Sequence, residues 1–345
     1  MHHSAIKHLE LRKRRLHWPK RTDLRSLSIA LLGCALAVLG VLGCASEVGS
    51  AGDITSPTAA SFDRPPLYRV DGGDGADLIM LGTIHPGPAQ GWSLSPEANA
   101  ALQEASAFVL ELDPRQASED AIGTLVANMV MLEPPASLES VLRPETAKLL
   151  EERSATVTAM GLSPSVRRHM KPWFIAAGLI DSATASSGYS TSQGVESLLV
   201  AQLGERPLIP LETVEFQLRI FDDLPFHLQD LMLYDTLLRL DETEAGIEEL
   251  IQAWRNGDEQ TLEQIARQGI DELPELEPFY ERLLDARNRN WLTQLIPMLQ
   301  DATRRDETIL VGVGALHLVG PESVPSLLRK AGYSVSRIPQ TEVKP

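Results

Sequence analysis

From about residue 64 onward the chain alternates short apolar runs with longer stretches of helical period. Residues 77–82 and 308–313 are continuous, apolar and brief, the pattern of strands buried on both faces. Tyr68-Arg69-Val70 predicts a strand before the first run, with Asp71-Gly72-Gly73-Asp74-Gly75 as the intervening turn. Ser95-Pro96-Glu97 then carries the marks of a helix start: an N-cap, a first-position proline and an acidic first turn. That helix continues through Ala101, Leu102 and Ala105, and residues 108–113 follow as a strand halted by Pro114. Strand, helix, strand is the signature of a parallel α/β unit.

The middle of the chain reads as mostly helical. Val195, Leu198, Leu199 and Leu203 recur at helical spacing, as do Leu224, Leu228, Leu231 and Met232. Between them, residues 207–212 form a short apolar run whose prolines suit an edge strand or a strand terminus. Leu284, Asn288, Trp291, Leu292, Leu295, Ile296 and Leu299 define one face of a further helix. After the strand at 308–313, residues 321–330 read as a helix opened by Pro321, and Gly332-Tyr333-Ser334-Val335 as a closing strand. The expected fold is α/β: mainly parallel strands with helices, strand–helix–strand at both ends and a helical insert between.

The two buried strands share more than hydrophobicity. Leu81-Gly82-Thr83-Ile84-His85 and Val313-Gly314-Ala315-Leu316-His317 each end an apolar run in Gly-x-x-His, and a Gly-Pro follows each (Gly87-Pro88, Gly320-Pro321). Of the four histidines beyond the leader, two occupy this frame; His169 and His227 do not, and read as structural or surface residues. Four strands thus end on polar residues that a buried strand does not need: His85, Glu111, Glu212 and His317. In open parallel sheets, ligands bind outside the carboxyl ends of the strands. Two imidazoles and two carboxylates there could hold a divalent cation such as zinc, manganese or cobalt. They could equally form a metal-free acid–base set, a carboxylate orienting an imidazole. Gly82 and Gly314 would let the backbone turn sharply and approach a ligand closely. Asp113, before Pro114, reads as a turn residue. Arg287 falls on the apolar face of its helix, where a guanidinium requires a partner such as Glu111, Glu212 or a substrate anion, unless it snorkels to the surface.

Charge and composition narrow the classes. The chain has 345 residues and a net charge of −16. Its first 25 residues are nevertheless basic, so the remainder is more acidic than the total. An acidic body excludes nucleic acid as the expected partner, because phosphate binding needs clustered Lys and Arg. Residues 27–43 form a nearly uncharged apolar run behind the basic stretch, the layout of an export signal. It ends at Val41-Leu42-Gly43-Cys44, which resembles a bacterial lipobox with Cys44 as the acylated residue; Leu31-Leu32-Gly33-Cys34 is a second, shorter version. An uncleaved signal anchor is the alternative. The expected organisation is a leader to residue 44, a Ser/Ala/Gly/Thr/Pro-rich tether at 45–63 and a single folded body at 64–345, in the cell envelope and held to a membrane. Cys34 and Cys44 are the only cysteines, so the body has neither disulfide nor thiol chemistry. No His-Glu-x-x-His, Gly-x-Ser-x-Gly or phosphate loop is present.

Together these segments resemble the TraB/GumN family, which includes the animal TIKI proteins. The resemblance rests on the two Gly-x-x-His frames with Val109-Leu110-Glu111-Leu112-Asp113, Leu211-Glu212-Thr213, Phe221-Asp222-Asp223-Leu224-Pro225, Arg287-Asn288 and the weaker Trp254-Arg255-Asn256-Gly257-Asp258. It implies a pseudo-symmetric α/β core, related to the erythromycin-esterase-like fold, with both histidine frames on one cleft. It also implies a metal-dependent peptidase acting on a peptide or small-molecule substrate. His85, Glu111 and His317 would be catalytic and metal-binding, with Glu212 and Arg287 in support. Gly194-Val195-Glu196 departs from the family's usual Gly-x-Asp, which puts a ligand role for Glu196 in doubt. The related fold also admits metal-free ester or amide hydrolysis with His85 as base, and a non-catalytic envelope binding protein is the third reading.

Overall fold

The structure is a computed structural model and describes residues 62–341 apart from Ala117. The leader, the apolar run, both cysteines and all but the last two residues of the expected tether lie outside the described residues. Of those two, Asp63 packs into the body: it is buried, accepting from Arg255 Nε (2.7 Å) and the Ser93 N–H (2.8 Å).

Six strands form the main sheet, in the order β6-β4-β7-β2-β1-β8. They are β1 (Leu67–Asp71), β2 (Asp77–Thr83), β4 (Ala107–Leu110), β6 (Leu208–Pro210), β7 (Thr308–Gly314) and β8 (Ser334–Arg337). A two-stranded ribbon pairs β3 (Gly87–Pro88) with β5 (Tyr189–Ser190). Strands β6, β4, β7 and β2 run parallel, while β1 is antiparallel to both β2 and β8. The strand–helix–strand unit at the N-terminus is real, with α1 (Pro96–Glu104) capped by Ser95 Oγ accepting from the Ala98 N–H. Its strands are not neighbours, however: β7 enters between β2 and β4. Likewise β8 does not extend the parallel set but turns back onto β1.

Alternation along the central strands feeds two apolar layers. Leu78, Met80, Val109, Val311 and Val313 face a layer containing Trp291, Leu295 and Leu299 of α9 (Ala286–Gln300) and Leu328 of α10 (Val324–Lys330). Ile79, Leu81, Phe108, Leu110 and Leu310 join a larger core with Leu199 of α4 (Val195–Ala201) and Trp254 of α7 (Thr243–Asn256). A third apolar cluster holds the helical insert, joining α3 (Pro172–Ser186) to α6 (Phe226–Leu238) through Ile175, Leu179, Leu233 and Leu237.

Several local expectations shift. β4 ends at Leu110 rather than continuing to Asp113, so Glu111 stands just beyond the strand, although Glu111 O still accepts from the Glu212 N–H (2.9 Å). β6 is an edge strand, as its prolines require. The helix expected from Pro321 starts at Val324 instead. Ser323 caps it by accepting from the Ser326 N–H, and Gly320, in the left-handed region (φ 87°), takes the turn before it. α9 is entered through a π-helical turn, Glu281–Asp285.

Candidate active site

The four parallel strands deliver their C-terminal ends to one edge of the sheet. Because β2 and β7 are adjacent, the two Gly-x-x-His frames sit side by side. They are not in register: Gly82 pairs with Val313, and Thr83 with Gly314. The chain after the glycines also differs. Gly82 is still within β2, whereas Gly314 closes β7 and His317 lies in a 3₁₀ turn, Ala315–Leu318. Neither glycine serves a sharp turn: Gly314 has φ −48°, and neither residue has positive φ. Their value is in close packing. A Cβ on Gly82 would lie 3.1 Å from Ala315 Cβ, and one on Gly314 would lie 3.3 Å from Glu111 Oε1. Trp254 Nε1 donates to Gly82 O (2.8 Å), which explains why that tryptophan accompanies the frame.

Arg287 is the hub. Its side chain is 2% exposed, and its guanidinium joins both strand-end carboxylates. Nε donates to Glu212 Oε1 (2.9 Å), and Nη2 donates to Glu212 Oε2 (2.8 Å) and Glu111 Oε2 (2.5 Å). Nη1 donates to Leu283 O (3.1 Å) and faces His317 Nε2 at 3.2 Å. Gln217, from α5 (Val214–Asp222), bridges the carboxylates through Nε2, at 3.1 Å from Glu111 Oε2 and 3.0 Å from Glu212 Oε2. Trp291 Nε1 donates to Glu212 Oε1 (2.8 Å), and the Gly314 N–H to Glu111 Oε1 (2.8 Å). A buried arginine between two buried carboxylates is stable only with such full hydrogen bonding, and here each carboxylate oxygen has a donor.

The electrostatics separate the two histidines. Burial works against charge on Glu111, yet Arg287, the nearby imidazoles and the Gly314 N–H hold its carboxyl down to about 2. Burial and the adjacent Arg287 cation push the His317 imidazole down to about 3, against the pull of Glu111. His85 goes the other way. Burial opposes its charge, but Glu196, with Oε1 at 3.1 Å from His85 Nδ1, and Glu111 beyond it hold the imidazolium above the usual range. The same contact outweighs burial at Glu196 and holds its carboxyl below the ordinary range.

His85, Glu111, Glu212, Arg287 and His317 therefore share one strand-end edge, and sequence reasoning underweighted a sixth member, Glu196. The signal for it was Gly194. A Cβ there would lie 2.2 Å from His85 O, and the Val195 N–H donates to Ile84 O (3.0 Å), so the start of α4 is pressed onto the first histidine frame. Gln217 had no legible signal. Asp113 is a turn residue held by Arg115, and His169 and His227 are exposed, as expected. Asp222 of the Phe221–Pro225 motif accepts from Lys171 Nζ (2.5 Å) and Trp173 Nε1 (3.1 Å), a bracing role outside this cluster. A cleft of about 280 Å³ opens beside Glu212, walled by Leu112, Ile122, Leu125 and Val214.

As arranged, this donor set does not make a metal centre. Both strand-end carboxylates are engaged by Arg287, whose Nη1 also faces His317 Nε2. Among the described residues no three His, Cys, Asp or Glu side chains converge as metal ligands.

A mainly parallel α/β sheet with paired Gly-x-x-His strand ends over a buried Arg–Glu cluster defines the class of protein. The TraB/PrgY/gumN family model matches residues 66–337, and the chain belongs to that family. It is similar to the uncharacterized protein YbaP of Escherichia coli (strain K12), at 27% identity over 257 residues, covering 72% of this chain and 87% of the relative. The YbaP protein of Shigella flexneri matches to the same extent. No solved structure matches the chain.

Proposed function

We propose that this TraB-family protein is a hydrolase in which His85 is the general base and Glu196 its orienting carboxylate. The observation that carries this reading is the His85–Glu196 pair at 3.1 Å, in which the side chains are 13% and 26% exposed while those of Arg287 and His317 are 2% and 1% exposed. An imidazole that must exchange protons with water belongs at the less buried side of the site, and a carboxylate facing Nδ1 leaves Nε2 as the working nitrogen. His85 Nε2 takes a proton from water, the water oxygen attacks an ester or amide carbonyl, and the proton passes to the leaving group. Glu196 stabilises the transient imidazolium. The buried Arg287–Glu111–Glu212 cluster fixes the strand ends around this pair. The apolar cleft beside Glu212 suits the non-reacting part of a peptide or small-molecule substrate.

The test is turnover of a chromogenic ester and peptide library by the full-length protein, with and without chelator. Chelator-insensitive turnover that falls about 10²–10⁴-fold in His85→Ala is expected. Equal turnover in that variant would refute the assignment, and no turnover on any substrate would favour an envelope binding protein.

A second reading has its own observation. Glu111 and Glu212 share one guanidinium while Glu196 faces only His85, so with His85 neutral the site carries an excess of negative charge that a divalent cation such as zinc, manganese or cobalt would offset. It requires Arg287 to release a carboxylate. Metal bound stoichiometrically by the wild type and lost in a His85→Ala, His317→Ala double variant would establish it. We propose a location in the cell envelope, with a lipid anchor at Cys44. Among the described residues no helix is long and apolar enough to cross a membrane. Labelled fatty acid should attach to the wild type and not to Cys44→Ser; labelling that persists would move the anchor to Cys34.

A further inference from the structure

The duplicated frame presents His85 and His317 as equivalents, but the groups around His317 give it a different task, and the residue that sets this task is Asn288. Asn288 is buried on α9, one position after Arg287. Its Nδ2 donates to Glu322 O at 2.8 Å. A backbone carbonyl can only accept, so this bond fixes which way the amide points; the flipped amide would set two oxygens against each other. Oδ1 then faces His317 Nδ1 at 2.6 Å. An amide oxygen also only accepts, so the proton must be on Nδ1.

The other ring nitrogen agrees. His317 Nε2 lies 3.2 Å from Arg287 Nη1, and a guanidinium has donors and no acceptor. A proton on Nε2 would oppose donor to donor and place a second cation against Arg287, in a site where neither group has access to water. The neutral ring with its lone pair on Nε2 satisfies every contact. Trp291, whose ring centroid is 4.4 Å from that of His317, closes one side of the imidazole.

We propose that Asn288 is a positioning residue that fixes His317 as the Nδ1–H tautomer, making His317 a hydrogen-bond acceptor that holds Arg287 against Glu111 and Glu212. The chain of contacts is Glu322 O, Asn288, His317, Arg287, then the two carboxylates. It explains why Arg287 and Asn288 are adjacent on one buried helix face: one supplies the cation, the other indirectly supplies an acceptor for it. The two Gly-x-x-His frames are therefore divided in labour, with one imidazole at the open side and one serving as a buried strut.

This role rests on the proposed site, in which His85 rather than His317 is the base, but it is read without turnover and can fail independently of it. Full-length protein labelled with ¹⁵N-histidine is examined by long-range ¹H–¹⁵N correlation, with His317 assigned by its loss in His317→Gln. The wild type should show one pattern, protonated Nδ1 and unprotonated Nε2. Asn288→Asp, buried as the acid so that its O–H donates to Glu322 O, keeps an acceptor for Nδ1 and should retain that pattern. Asn288→Leu removes it and should give a mixture of tautomers or the Nε2–H form. A wild-type Nε2–H pattern would overturn the proposal, as would an unchanged pattern in Asn288→Leu, which would assign the tautomer to Arg287 alone. If Asn288→Leu does not fold, the wild type and Asn288→Asp decide, because an Nε2–H pattern in either contradicts the geometry.

Discussion

Replacing Arg287 by methionine should be among the most destabilising single changes in the body. Methionine fills a similar volume, so the change removes charge with little loss of packing. It leaves Glu111 and Glu212 buried, both accepting from Gln217 but without a cation. Breaking a buried pair from one side costs about 3–5 kcal/mol, because the remaining charge is uncompensated. The net hold of all its neighbours on the Glu111 carboxyl is of the same order. Each pH unit corresponds to about 1.4 kcal/mol, so holding the Glu111 carboxyl at about 2 instead of 4.5 contributes about 3 kcal/mol. The sign follows from the depressed value: this stability is fully present above the unfolded value of 4.5 and is lost as pH falls through about 2. In Arg287→Met the Glu111 carboxyl loses the cation while burial still raises it, so it protonates on folding at mildly acidic pH and the penalty shrinks there. Urea unfolding of the full-length protein, followed by tryptophan fluorescence, checks both points. The wild-type–variant gap should be about 3–5 kcal/mol at neutral pH and should narrow steadily as the pH approaches about 4. Adding Glu111→Gln and Glu212→Gln to the methionine variant should recover much of the loss, since neither uncompensated carboxylate remains. A gap of about 1 kcal/mol or less, the value of a solvent-exposed pair, or a gap independent of pH, would refute the buried-cluster account.

Two further outcomes follow from the open side of the site. Because Glu196 holds the His85 imidazolium above its ordinary 6.5, the base form gains as pH rises, and kcat/KM for hydrolysis should climb through a midpoint above that value. Glu196→Gln removes the attraction and should move the midpoint down; a midpoint that stays in place would show that Glu196 does not act on His85. Gly194→Ala should lower the thermal midpoint, because its Cβ would lie 2.2 Å from His85 O. Backbone cannot yield as a side-chain tip can, so a cost of about 1–3 kcal/mol is expected, together with reduced hydrolysis; a variant with wild-type stability and activity would show that the α4 start is not pressed against the frame.

Much of this arrangement was legible because it is local. Unbroken apolar runs gave β2 and β7, Ser95-Pro96-Glu97 gave the start of α1, and the misplaced polarity of Arg287 on an apolar face gave a demand for carboxylates that Glu111 and Glu212 meet. What stayed hidden is non-local. Nothing in residues 77–113 says that a strand starting at Thr308 will enter between β2 and β4, because that choice depends on packing between segments remote in sequence. The same holds for Gln217, whose amide reaches the carboxylates only once α5 is docked. Glu196 lay between the two cases: its motif was visible, but the resemblance implied an aspartate there, and only the close approach of Gly194 to the His85 backbone and the Glu196–His85 contact show that it reaches its histidine.

The repeated frame illustrates how sequence symmetry can mislead about chemistry. Two Gly-x-x-His segments on adjacent parallel strands invite the reading that both imidazoles do one job. A one-residue offset in register and a 3₁₀ turn after β7 are enough to place them in different surroundings. Beside Glu196, His85 keeps a proton more readily than a free imidazole; between Asn288 and Arg287, His317 is kept from accepting a second one. The difference does not come from the histidines or from the glycines before them. It comes from the residues that α4 and α9 bring against each frame, a carboxylate in one case and a guanidinium with an amide in the other. Any chemistry at this edge must therefore begin from unequal histidines, and a metal shared symmetrically between them would first require Arg287 to leave.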